Sequence, residues 1–109
     1  MLKRWKKVSD FNSYEHKLNQ MLEYHNNKLS QLDAIHNQEL HSSVLYLKSA
    51  INRQIIKPIT RSLAMIEIIN EIGAENIPTD MKTDWLEDIE LISSLNSLEV
   101  RWWLKRLKI

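Results

Sequence analysis

The chain has 109 residues and 13.0 kDa, the size of one domain, and carries a single glycine, two prolines and no cysteine. A phosphate-cradling Walker loop needs two glycines and a dinucleotide fingerprint three. Neither can be present, and without cysteine there is no disulfide, thiolate metal site or cysteine nucleophile. The net charge of +1 hides segregation: residues 1–57 are net +4, residues 58–100 net −7 and residues 101–109 net +4.

Residues 1–8 form a basic arm. They resemble the start of a secretory leader in charge, but no apolar segment follows, so no leader is expected. No run approaches the ~18 apolar residues of a membrane span, and a soluble, cytoplasmic protein is expected. Ser9 or Asp10 is suited to cap a helix start. From there the spacing predicts a long helix over about 10–57, free of glycine and proline. Leu18, Leu22, Leu29, Leu32, Leu40 and Leu47 fall on one stripe, with a mean spacing slightly above the ~3.6 of a helical turn, so it is not a clean left-handed coiled coil. Asn26-Asn27, Asn37 and His41-Ser42-Ser43 offer the backbone other hydrogen bonds, which makes a break near 37–43 the alternative.

Pro58 predicts a kink or a break. A second helix over about 59–72 follows from Ile59, Leu63, Ile66, Ile69 and Ile72, with Gly73 placed to end it at positive φ. The C-terminal helix is expected over about 80–107, acidic at its start and basic at its end, as the helix dipole favours. Its apolar residues lie on two adjacent stripes, Leu91, Leu95, Leu98 and Trp102 on one, and Trp85, Ile89, Ile92, Trp103 and Leu107 on the other. The fold class is all-α, one helical domain.

An unbroken helix over 10–57 would be about 70 Å long, whereas a compact monomer of this size has a radius of gyration of ~13 Å. The bundle is therefore expected to be completed by dimerisation, along a seam of Leu18, Leu22, His25, Leu29, Leu32, His36 and Leu40. His25 and His36 lie on the same side as the leucines. They would form a polar layer that fixes register, more readily than a metal site.

Two further sets of residues could meet a partner. Glu67, Glu71, Glu75, Asp84 and Asp88 form an acidic stripe suited to a basic protein surface. Lys3, Arg4, Trp5, Lys6 and Lys7 at one end, and Arg101, Trp103, Lys105 and Arg106 at the other, combine bases with aromatic rings, as single-stranded nucleic acid requires. Trp102 continues the stripe of Leu91, Leu95 and Leu98 and is expected in the core. His16 and His41 are expected at the surface. No Glu-x-x-His pair and no nucleophile elbow occurs, so no catalytic, cofactor or metal site is expected. The reading is a non-enzymatic helical interaction module, an adaptor or inhibitor, acting as a homodimer on a protein partner. The many Ile, Lys and Asn residues fit an AT-rich genome and suggest a phage-encoded inhibitor of a host enzyme or defence complex. Nucleic-acid binding through the basic ends is the alternative, and a purely structural bundle the third reading.

Overall fold

The structure, a computed structural model, describes residues 8–109; the arm with Lys3, Arg4, Trp5, Lys6 and Lys7 lies outside the described residues. The chain is all-α. Its helices are α1 (Val8–Asp33), α2 (His41–Ile51), α3 (Lys57–Ile72), α4 (Thr79–Ser93) and α5 (Leu98–Arg106). Short 3₁₀ turns lie at Gln38–Leu40 and Ala74–Asn76, and a π turn at Asn52–Ile56 joins α2 to α3. Three arms result: α1, a middle arm from 38 to 72, and a third arm made of α4 and α5.

The helix expected over 10–57 is two helices. At the end of α1 the amides of Ala34 and Ile35 bond to the carbonyls of Gln31 and Leu32, at 3.2 and 3.1 Å, which tightens the last turn. Asn37 then takes extended geometry (φ −73°, ψ 118°), and its side-chain oxygen accepts from the Glu39 amide at 2.9 Å. This is a helix-starting cap, and the exposed His36, Gln38 and Glu39 around it leave little apolar side chain to oppose a turn. The break falls at 34–37, just ahead of the 37–43 window.

Pro58 produces no break. The backbone stays helical from 38 to 72. In the π turn the Lys57 amide reaches back to the carbonyl of Asn52, one residue further than in an α-helix. The wider turn loosens the carbonyl stack that the proline ring would otherwise strike, and absorbs the missing donor. The second helix, expected at 59–72, is thus the lower half of a longer one. The helix expected over 80–107 is also two. The amides of Ser94 and Leu95 close on Leu91 and Ile92, and Ser97 caps α5 by accepting from the Val100 amide at 3.2 Å.

α1 lies antiparallel to the middle arm, and the third arm runs back along it, α4 against α3 and α1, α5 against α2. Every arm contributes to one core. Leu18 and Leu32 of α1, Leu47 and Ile51 of α2, Ile59, Ile66 and Ile69 of α3, and Ile89 of α4 are sealed from solvent; Val100 and Leu104 of α5 join them. Polar contacts tie the arms at the edges. Lys48 pairs with Asp33 beside the first turn, and the Tyr14 hydroxyl donates to Glu90 at 2.8 Å.

The stripe on the N-terminal half is therefore covered from within. Leu18 and Leu32 are buried, and Leu22, His25, Leu29 and Leu40 half-buried. His36 is exposed on the 34–37 turn and does not share a helix face with His25. The His25 ring is held by its own helix, with Nδ1 2.9 Å from the Met21 carbonyl. The expectation of a single strut needing a second chain along Leu18 to Leu40 is thus corrected: the strut folds back on itself. The molecule measures 54 × 27 × 17 Å, and its radius of gyration is 16.8 Å. A body so thin leaves each arm one face to water.

Candidate interaction face

Place α4 on a wheel at ~100° per residue. Leu86, Ile89 and Ser93 point inward and are buried. The opposite side carries Asp80, Met81, Asp84, Glu87, Asp88 and Leu91, all exposed. On α5, Val100 and Leu104 point inward, and the outer side carries Leu98, Arg101, Trp102, Lys105 and Arg106, again exposed. Leu91 is 69 %, Leu98 73 % and Trp102 55 % accessible, the three highest values among the large exposed apolar side chains. The outer face of the third arm thus holds an apolar line with acids around its α4 half and bases around its α5 half.

This corrects the placement of the tryptophans. Trp102, expected in the core, is exposed, with the Arg106 guanidinium 5.3 Å from its ring centre. Trp103, assigned to a nucleic-acid surface, is half-buried. Its ring meets Trp102 edge-on at 5.0 Å and tilts against Tyr46 at 6.1 Å. The two sequence stripes compete for one interior, and the arm turns the stripe of Trp85, Ile89, Ile92, Trp103 and Leu107 inward. No further helix in the slab covers Leu91, Leu98 and Trp102 of the other, whose Leu95 is half-buried against the core. An amphipathic count over 80–107 cannot choose between two adjacent stripes; only the number of neighbouring helices can.

The acidic stripe lies wholly on the surface. Asp84 and Asp88 share the outer face of α4 with Leu91, whereas Glu67 and Glu71 are exposed on α3 and Glu75 on the turn between the two helices. All five gather at the α3–α4 end of the molecule. The bases Arg101, Lys105 and Arg106 occupy the other end of the third arm.

A hydrogen-bond chain fixes α5 to the middle arm. The Tyr46 hydroxyl donates to Glu99 at 2.6 Å, the Gln54 amide donates to the other Glu99 oxygen at 2.8 Å, and the Ser97 hydroxyl donates to Gln54 at 3.0 Å. The Tyr46 and Gln54 donors hold the Glu99 carboxyl below its ordinary range. Hydrogen bonding to Glu99, with burial adding to it, pushes the Tyr46 phenol up. A lowered carboxylate supports the fold above its ordinary range and loses that support as pH falls through its shifted value. A raised phenol supports it below its ordinary range and loses it as pH rises through its shifted value. Seating of α5 should be flat between about pH 5 and pH 9 and loosen on both sides. The Trp103 indole N–H signal, beside Tyr46, is the NMR probe. Tyr46→Phe should remove the alkaline limb and Glu99→Gln the acid limb; a profile unchanged by either substitution would contradict the assignment.

A shallow open pocket of about 280 Å³ sits under the first turn, lined by Leu32, Ile35, His36, His41, Leu45 and Lys48 among others. Among the described residues no group of three His, Asp or Glu side chains is placed to hold a metal ion, and no helix is long and apolar enough to cross a membrane. Set against protein families, curated proteins and solved structures, the chain matches none of them.

Proposed function

We propose that the chain is a non-enzymatic docking module that binds another protein surface through the outer face of its third arm. The observation that carries this reading is the exposure of Leu91, Leu98 and Trp102, the three most accessible of the large apolar side chains, all on the outer side of one arm. A lone exposed leucine needs no explanation; three such residues in line, flanked by charge, have the composition of an interface whose anchors are tryptophan and arginine. Asp84 and Asp88 beside Leu91, with Glu67, Glu71 and Glu75 on the adjoining surface, favour a partner that is basic where it meets α4. The composition fits a phage-encoded adaptor or inhibitor aimed at a host enzyme or defence complex. Capture from the native cell tests the reading. Proteins retained by the wild-type chain should be lost with Leu98→Asp plus Trp102→Ala, since a buried tryptophan anchor is worth about 2 kcal/mol or more, roughly 30-fold in affinity. An identical retained set would contradict it.

The exposure of Trp102 among Arg101, Lys105 and Arg106 favours a second reading, binding of single-stranded nucleic acid on α5. Three phosphate contacts would give a plot of log affinity against log salt with a slope of about −2. Under the docking reading we expect no specific oligonucleotide retention, and so no such slope. A slope near −2, abolished by replacing the three bases with alanine, would place the second reading first.

A further inference from the structure

We propose that the outer face of the third arm is a self-complementary seam on which a second copy of this chain lies antiparallel. The inference rests on the docking reading above and names its partner.

The charge order carries it. Along the outer face, Asp84, Glu87 and Asp88 come first, on α4, and Arg101, Lys105 and Arg106 follow, on α5; all six are exposed. None of them forms an ion pair with another described residue. Between the two groups lie the exposed Leu91 and Leu98, and Trp102 follows among the bases. α4 packs on α3 and α5 on α2, two segments of one continuous middle arm, so the exposed sides of both face away from the same arm.

Such a face meets its own copy in two ways. Laid parallel, acids face acids and bases face bases, which is repulsive at both ends. Laid antiparallel about a two-fold axis near Leu95, three groups on each copy find complements. Leu91 lies opposite the partner's Leu98, Asp88 opposite the partner's Arg101, and Asp84 opposite the partner's Lys105. Each pairing recurs with the roles exchanged, as a closed two-fold interface requires. Leu95 at the axis is half-buried and its neighbours Ser94 and Asn96 are small or polar, so nothing bulky holds the copies apart. A foreign partner would have to match apolar line and charge order together; a second copy does so by symmetry. The seam differs from one along Leu18 to Leu40, which the chain's own helices cover.

Sedimentation equilibrium at low salt tests the proposal on three chains: wild type, Asp84→Lys with Asp88→Lys, and Arg101→Glu with Lys105→Glu. All four substituted positions are exposed, so helicity by circular dichroism should be unchanged in each. The wild-type mass should climb with concentration from 13.0 kDa to twice that value. Each swapped chain should associate at least tenfold more weakly, because its two ends now repel those of its copy. An equimolar mixture of the two swapped chains should recover the dimer, since the lysines introduced at positions 84 and 88 of one then face the acids introduced at 101 and 105 of the other, and Arg101 and Lys105 of the first face the unchanged Asp84 and Asp88 of the second. A wild-type chain that stays at 13.0 kDa overturns the pairing and leaves the docking reading to its own capture test. A dimer indifferent to both swaps, or a mixture that fails to recover it, overturns the antiparallel seam.

Discussion

Replacing Leu18 by alanine should lower the free energy of unfolding by about 2–5 kcal/mol, and by the same amount at every protein concentration. Leu18 is fully buried on α1 and belongs to the core that all three arms share. Truncation removes the transfer free energy of the lost methyl groups and leaves a hollow that helices on either side fill only in part. Leu32, equally buried near the other end of α1, should behave alike. For a chain of this length the loss corresponds to a fall in melting temperature of roughly 10–20 °C. Concentration independence is the discriminating part. Were Leu18 part of a seam between two chains, its loss would act on association, and the gap between the variant and wild-type midpoints would itself change with concentration. Urea unfolding followed by circular dichroism at two well-separated concentrations reads both quantities. A midpoint shift that grows on dilution would return Leu18 to an intermolecular role.

Gly73→Ala is the second large effect, about 1–3 kcal/mol. Gly73 ends α3 at φ +92° and ψ +133°, its amide bonded to the Ile69 carbonyl at 2.9 Å. An L side chain rarely takes that backbone geometry, and the turn it makes sets α4 back against α3. A Cβ at this position would meet a Glu75 carboxylate oxygen at 2.6 Å, but that is the end of a flexible, exposed side chain that can swing away. The cost therefore lies in the backbone and should persist when Glu75 is also replaced by alanine. Rescue of Gly73→Ala by Glu75→Ala would show that contact, not conformation, was the cause.

The contrast between Gly73 and Asn37 explains how much of the fold is readable in the sequence. Glycine and proline carry strong local signals, so the α3–α4 turn is located by Gly73 and Pro78. The turns at 34–37 and 94–97 contain neither. They are made by Asn37 and Ser97 acting as caps, residues equally at home on an exposed helix face, and only the gain from folding α1 onto the middle arm decides which role Asn37 takes. Pro58 misleads in the other direction, because a π turn is a remedy that local propensity does not announce. Of the candidate surface residues, the acidic stripe and the bases of α5 lie where the charge pattern puts them, on the outside. The stripe of Leu91, Leu98 and Trp102 does not, since periodicity identifies two apolar faces on the last helix and only the number of neighbouring helices decides which is buried. That unpredicted exposure is where the proposed function resides.

Everything rests on the N-terminal half folding back at 34–37, because only then does the chain shelter its own first stripe and leave the third arm as its open face. The chain has no cysteine, so paired spin labels can be attached at Gln20→Cys and Lys57→Cys, both exposed positions, without further changes. Adjacent packed helices lie about 10 Å apart between axes, and with the label arms the distance should fall below ~30 Å. A continuous helix would separate the two sites by roughly 55 Å. With the labelled chain diluted in excess unlabelled chain, so that only pairs within one chain are read, a single population at the short distance is the predicted result, and a population near the long one would contradict the account.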